Sequence, residues 1–175
     1  MPNGAEPQAN ALDAGTIAFA GRVFDLARGG YAAELAELLG QGLPANLTND
    51  KGDTLLILAS YHGHDQAVCV LLDAGADPER ANDRGQTALA AAAFKGALSV
   101  LRLLLERGAL VDGSGSGSRT ALMVAAMFDR TEAVDLLLSH DADAARRDAG
   151  GLTAEDLARG MGAVDTQARL AAVER

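Results

Sequence analysis

The sequence has a single cysteine, no tryptophan and few other aromatic residues. Of its 175 residues 3% are aromatic, although 49% are hydrophobic. Cys69 is the one cysteine, so the chain cannot form an internal disulfide bond. The cysteine count by itself excludes no cellular compartment. So few rings are untypical of the core of a compact globule. The balance instead favours stacked short helices, which Ala and Leu allow to approach closely.

The chain also lacks an excess of basic residues and a long apolar run. It has 15 lysine and arginine residues and 24 aspartate and glutamate residues, which gives a net charge of −9. Such a charge opposes nucleic-acid phosphates and anionic membrane surfaces, so neither is expected as a partner. No window reaches the length of a membrane span, and residues 1–10 lack the basic start and apolar run of a secretory signal. We therefore expect a cytoplasmic protein.

What the chain does have is a pattern that recurs every 33 residues. Thr54 is followed at this interval by Thr87, Thr120 and Thr153. Apolar positions keep the same register: Leu56, Leu89 and Leu122; Ala59, Ala92 and Ala125; and the leucine pairs at 71–72, 104–105 and 137–138. Self-similarity at a fixed period of this length indicates stacked units that bury their faces on one another.

The period and its punctuation resemble the ankyrin repeat. Gly52 precedes the first threonine, Gly63-His64 interrupts the apolar stretch, and Gly-Ala-Asp at 75–77 follows the second apolar stripe. The likeness extends to small stand-alone ankyrin proteins of bacterial type through the segments 46–54 and 82–87. The resemblance predicts an all-α ankyrin-repeat solenoid of about five 33-residue helix-turn-helix units with hairpin loops.

The register also predicts how the chain is divided. Residues 1–13 have no apolar period and are expected to form a flexible N-terminal tail. Residues 14–175 are then a single repeat domain whose first and last units act as caps, because each has a neighbour on one side alone. The approximate units are 16–48, 49–81, 82–114, 115–147 and 148–175.

Local chemistry predicts how each unit is punctuated. The threonines are placed to cap the first helices, and the recurring glycines to adopt a left-handed backbone. In the fourth unit Ser118, Asp129 and Asp141 replace these glycines, which we expect at some cost in stability. The Gly-Ser run 113–118 predicts the most mobile hairpin tip. The family's Thr-Pro-Leu-His is without its Pro and His here, so apolar packing is expected at the fourth position.

We expect no catalytic, cofactor-binding or metal-binding site. The sequence contains no phosphate-binding loop, dinucleotide fingerprint or local signature of a nucleophile with its base. His62 and His64 form a His-x-His pair, but residues two apart on a helix do not face each other, and His64 falls on the family's structural Gly-His. The chain is therefore predicted not to be an enzyme.

The resemblance implies a protein-binding surface on the concave side, made of hairpin tips and the exposed ends of first helices. Mapped onto this chain, the implied partner-binding residues are Lys51, Asp53, Tyr61, His62, Arg84, Gln86, Phe94, Lys95, Arg119, Met127 and Phe128. Tyr61, Phe94 and Met127 are spaced by 33 and predict a ladder with Phe128 beside it. One interpretation is an interface, and an equal alternative is that the side chains pack on one another and seal the stack.

These observations predict a monomeric, non-catalytic module that binds a partner protein of unknown identity. Lys51, Arg84, Lys95 and Arg119 are expected to orient that partner around the ladder. One alternative is an accessory subunit that stabilises a larger assembly. A further alternative, a small enzyme or ligand carrier, would need a concave pocket of convergent polar groups with perturbed ionisation.

Overall fold

The computed structural model describes residues 14–115 and 119–173, and within them the chain forms ten helices in five successive pairs. The first helix of each pair is α1 Ala14–Gly29, α3 Leu55–His62, α5 Ala88–Lys95, α7 Ala121–Met127 and α9 Ala154–Met161. The second is α2 Ala32–Gly40, α4 Asp65–Asp73, α6 Leu98–Glu106, α8 Thr131–Leu138 and α10 Val164–Val173.

The helices stack in two layers that follow chain order. Each first helix contacts the first helix of the next pair, and the second helices do the same alongside them. Each pair also packs on itself through the contact between its two helices. This arrangement confirms the predicted all-α solenoid of five helix-turn-helix units.

The core lies between the layers and runs the length of the stack. Residues 55–60, 88–93 and 121–126 of the first helices are buried, and so are Leu71, Leu104 and Leu137 of the second helices. In α5 five of the six buried residues are alanine, and these small side chains let the helix be buried on almost every side. Ile57, Ala90 and Met123, at the positions of the family's histidine, are all buried. Apolar packing occupies that position, as expected.

Threonine caps begin four of the five first helices, as predicted. The Oγ1 atoms of Thr54, Thr87 and Thr120 accept hydrogen bonds from backbone N–H groups three residues on, at 3.0–3.3 Å. Thr153 does the same with Asp156, whose carboxylate accepts in return from the Thr153 N–H. Each cap satisfies a donor that the helix start would otherwise leave unpaired.

The break between the helices of a unit requires a left-handed residue. Gly63 has φ of +74°, and the equivalent Gly96 has φ of +70°. In the fourth unit Asp129 occupies this break with φ of +53°. Asp141, which follows the second helix of that unit, has φ of +61°. Both values confirm that aspartate adopts the left-handed backbone in place of glycine. Ser118, residues 116–117 and the predicted tail 1–13 lie outside the described residues.

A periodic hydrogen bond between consecutive units was not predicted from the sequence. The side chains of Asn46, Glu79 and Asp112, spaced by 33, each accept from a backbone N–H 31 residues further on. The donor–acceptor distances are 2.8, 2.8 and 3.2 Å, to the N–H groups of Asp77, Leu110 and Asp143. We call these three bonds the seam, since each ties one unit to the next.

The first unit departs from the others at its start. Helix α1 has 16 residues, whereas α3 and α5 have eight. Its extra turns occupy the part of the unit in which the later units form a hairpin. The unit limits proposed from the sequence remain a prediction. None of the helices in the described residues combines the length and the apolar character that a membrane crossing needs.

Candidate functional site

Three of the hairpin tips, those of the second, third and fifth units, are each held in shape by one side chain. Asn49 Oδ1 accepts from the N–H groups of residues 51 and 53, and Asn82 Oδ1 from those of residues 84 and 86, at 2.9–3.0 Å. Asp148 Oδ1 makes the same pair of bonds with Gly150 and Leu152, at 2.9 and 3.1 Å. We call the surface formed by these turns and the adjoining ends of the first helices, from Asp53 to Leu152, the hairpin face.

The carboxylate of Asp53 connects two hairpins. It is buried, and its oxygens accept from Asn82 Nδ2 at 2.7 Å and from Asn49 Nδ2 at 3.3 Å. Both oxygens are therefore engaged within the stack. The structure therefore places this predicted partner-binding residue at the base of the hairpin rather than at the exposed hairpin tip.

Three rings lie in a row across the ends of the first helices. The centroids of Tyr61 and Phe94 are 5.6 Å apart with an interplanar angle of 16°, and those of Phe94 and Phe128 are 4.4 Å apart at 70°. Tyr61, Phe94 and Phe128 thus form a continuous aromatic row. Tyr61 and Phe128 each remain 36% exposed. The rings pack on one another, as the sealing alternative expected, and still present area to solvent.

The third ring of the aromatic row is Phe128. The 33-residue register predicted Met127 at this place in the ladder, with Phe128 beside it. Helix α7 has seven residues and ends at Met127, one residue earlier than α3 and α5 end in their units. Phe128 is its C-cap, with φ of −105°, and Asp129 follows in the left-handed region. Met127 is half-buried against the core. Met127 and Phe128 both line the groove that Phe94 lines, and Phe128 is the one whose ring packs on the Phe94 ring.

The two histidines are closer than the sequence predicted. The His62 and His64 rings lie 6.0 Å apart and nearly parallel, at 17°. The expectation that they would not face each other is wrong, because Gly63 ends the helix between them. His64 is within hydrogen-bond distance of the Arg28 carbonyl oxygen, with Nε2 at 2.8 Å. In the described part of the chain, no three His, Cys, Asp or Glu side chains are placed to hold a metal ion.

Cations flank the aromatic row. Lys95 Nζ lies 5.2 Å from the centroid of Tyr61, close enough for a cation–π contact. The His62 ring meets Tyr61 edge-on at 5.1 Å. Burial, and then the charges of His64, Lys95 and Arg28, lower the pKa of His62. The neutral imidazole is therefore favoured near neutral pH, and positive charge at this end comes from Lys95.

Arg119 and Asp148 form an ion pair at the other end of the row. Arg119 Nε is 3.4 Å from Asp148 Oδ2. The Leu152 N–H, and then that of Gly150 and the guanidinium of Arg119, lower the pKa of Asp148 against the opposing effect of burial. The carboxylate is 8% exposed, whereas the Arg119 side chain is 45% exposed. The cation is therefore the member of the pair that faces solvent.

Two adjoining grooves lie on the hairpin face. The larger, of about 610 Å³, is lined by side chains that include Phe94, Phe128, Leu152, Arg84, Arg119 and Asp148. The smaller, of about 300 Å³, contains Asp53, Tyr61 and His62 and shares Arg84, Gln86 and Phe94 with the first. Nine of the eleven predicted residues line a groove. Lys51 and Lys95 line neither, although Lys95 lies beside Tyr61.

Six lining residues of the larger groove were not predicted, and Leu152 and Asp148 are the two that matter most to its shape. Leu152 is 43% exposed, and Asp148 holds the turn beneath it. Leu152 is 33 residues beyond Arg119, which is itself 33 beyond Gln86. The 33-residue register could have identified Leu152. The prediction of partner-binding residues used that register for the second, third and fourth units and not for the fifth.

Comparison with known proteins agrees with this architecture. Residues 24–115 match the family described as ankyrin repeats in three copies, and residues 118–149 match a further ankyrin repeat. A protein of Pseudomonas aeruginosa named as an ankyrin repeat protein is 58% identical over 57 residues. That alignment spans 33% of this chain and 33% of the relative. Ankyrin repeats generally mediate protein–protein interaction. The five stacked helix pairs and both family matches show that the chain belongs to the ankyrin-repeat family.

Proposed function

We propose that the chain is a non-catalytic module that binds a partner protein through its hairpin face. The contact surface would consist of the aromatic row with the two grooves beside it, at the concave side expected of such a stack. The negative net charge favours a protein partner over nucleic acid or an anionic membrane. The proposal keeps the sequence expectations of a monomer that acts in the cytoplasm.

The observation that carries this proposal is a group of exposed apolar side chains that line the two grooves of one face. Tyr61, Phe128 and Leu152 are each at least 36% exposed, in a chain with few aromatic residues. They line grooves whose other walls carry charged and amide side chains. Aromatic anchors within a polar rim are typical of protein–protein interfaces. Met127 can add adaptable contact area from the groove floor.

The flanking cations support an orienting role. Arg84, Lys95 and Arg119 lie at or beside the grooves, while the protein as a whole is acidic. Charges at the rim of an interface act mainly on association rate and on the choice of partner. We therefore assign affinity to the rings and orientation to the cations.

Affinity capture with matched variants tests the proposal. The wild-type chain, Phe94→Ala, Phe128→Ala and Arg102→Ala would each serve as bait in a lysate of the source cells, followed by mass spectrometry. Arg102 is exposed on helix α6, away from the hairpin face, and is the control. We expect a partner that the wild type and Arg102→Ala retain and that both ring variants lose. A partner that the ring variants retain at wild-type levels would contradict the proposal.

A further inference from the structure

The larger groove has a floor and a rim of different chemistry. Phe94 and Phe128 form the floor with their edge-to-face contact, and Leu152 closes it from the last hairpin. Val124 and Met127 of helix α7 line the same groove. A volume of about 610 Å³ is within the range of pockets that accept several side chains or a small ligand. The floor therefore suits one bulky apolar side chain with its neighbours.

The rim carries an excess of positive charge. Arg84 and Arg119 both line the groove, and among the described residues that line it Asp148 is the acidic one. Its carboxylate already accepts from the N–H groups of Gly150 and Leu152 as well as pairing with Arg119. The anionic group is thus engaged and nearly buried.

Arg119 offers more donors than its partner uses. A guanidinium has five N–H donors in a planar fork that matches a carboxylate. The contact with Asp148 is made through Nε, and the side chain is 45% exposed. The terminal amino groups can donate to a second carboxylate while Nε donates to Asp148. The groove thus combines an apolar floor with a guanidinium at its edge.

We infer that this groove receives a linear segment of a partner protein in which a bulky apolar side chain stands next to an aspartate or glutamate. The apolar side chain would pack on Phe94, Phe128 and Leu152. The carboxylate would bind the terminal amino groups of Arg119. This inference rests on the proposed function and adds the chemistry of the segment that is recognised.

A displayed library of random 12-residue peptides tests the inference without a known partner. Peptides selected on the wild-type chain should be enriched in Asp or Glu within a few positions of Phe, Leu, Ile, Met or Trp. One selected peptide is then synthesised with its acidic residue intact and as the corresponding amide. This pair changes the charge of the ligand and leaves the protein unaltered.

Expected affinities follow from the two contacts. The amide peptide and the Arg119→Ala variant should each bind about tenfold more weakly, the usual cost of losing a hydrogen bond to a charged group. Phe128→Ala should weaken binding about thirtyfold, as for a central anchor. Arg102→Ala, on the exposed side of α6, should bind as the wild type does.

Three outcomes would overturn the inference. The first is that no peptide is enriched, and the second is that enriched peptides are neutral and bind Arg119→Ala as well as the wild type. If those neutral peptides are still lost with Phe128→Ala, the proposed function stands and the carboxylate contact alone is wrong. The third is binding that survives both Phe94→Ala and Phe128→Ala, which would also count against the hairpin face.

Discussion

The helix caps and the contacts between units use the same kind of side chain at equivalent positions, whereas a groove-lining position of the hairpin face does not. Thr54, Thr87, Thr120 and Thr153 all cap helices, and the seam recurs with an acceptor at each of its three positions. On the hairpin face, one position of the register holds Asp53, Gln86, Arg119 and Leu152 in successive units.

The difference separates two kinds of constraint. A capping or seam position has the same backbone neighbours in every unit, so the same chemistry satisfies it each time. On the hairpin face the side chains of Arg119 and Leu152 at this position are exposed to solvent, and a side chain that solvent surrounds is free to differ, although Asp53 is buried there. We therefore expect substitutions between the units to change stability, and substitutions on the hairpin face to change binding.

The largest effect is expected in the core. Leu104 is fully buried, and its equivalents Leu71 and Leu137 are buried as well. Leu104→Ala should lower the free energy of unfolding by about 3 kcal/mol, because it removes packing and leaves a cavity. Urea denaturation followed by circular dichroism would measure the change. The control is Arg102→Ala on the exposed side of the same helix, expected within about 0.5 kcal/mol of the wild type. Equal losses for the two would contradict the described packing.

A smaller loss is expected at a threonine cap. Thr87→Ala removes the acceptor of the Ala90 N–H and should cost about 1 kcal/mol. Thr87→Ser keeps the hydroxyl and should recover most of that loss. The same denaturation experiment compares the two variants. If serine is no better than alanine, the hydroxyl does not act as a cap.

A gain of similar size is expected at Ser60. Its side chain is fully buried, and its Oγ has no hydrogen-bond partner among the described residues. The equivalent residue one unit on is Ala93. Ser60→Ala should raise the free energy of unfolding by about 1 kcal/mol, because no unsatisfied hydroxyl is then buried.

The reverse substitution sharpens that test. Ala93→Ser places the same hydroxyl at the same register position and should lower the free energy of unfolding. The two variants are to be compared in one set of thermal or urea melts. Opposite signs are expected, and a shift in the same direction for both would show that Ser60 is satisfied in solution.

The smallest effect concerns pH. The pKa of Asp148 is lowered in the folded protein, so its charge stabilises the fold above the unfolded pKa of about 3.9, and that contribution is lost as pH falls through the lower folded value. Asp148→Asn should therefore be less stable than the wild type at neutral pH. The difference should shrink as the solution is acidified. Urea midpoints of both proteins across this range would check it, and a pH-independent difference would be inconsistent with the described bonds.

Features that repeat along the chain with the same residue type were predictable, and features that depend on the backbone at a helix end were not. The caps and the left-handed Asp129 follow from residue type and register. The edge-to-face contact of Phe128 with Phe94 does not, because it depends on the backbone at the end of α7. Backbone angles at a helix end set the direction of the next side chain, and residue spacing alone does not contain them.

The seam and the side chains that hold the hairpin turns were missed for a different reason. Asn46, Glu79 and Asp112 share a role although they are three residue types, so a search for identical residues passes over them. What they share is a side-chain oxygen at one position of the register. Leu152 belongs to the larger groove because the fifth unit has a hairpin of its own. Grouping positions by hydrogen-bonding capacity would have found the seam.

The most direct test of the central claim is one variant measured in two ways. Phe94 contacts both Tyr61 and Phe128 and lines both grooves. With a captured partner or a selected peptide, Phe94→Ala should raise the Kd about thirtyfold, as expected for a central anchor, while the stack still melts cooperatively near the wild-type temperature. A clearly lowered melting temperature with an unchanged Kd would instead show that the aromatic row serves only to pack the repeats together.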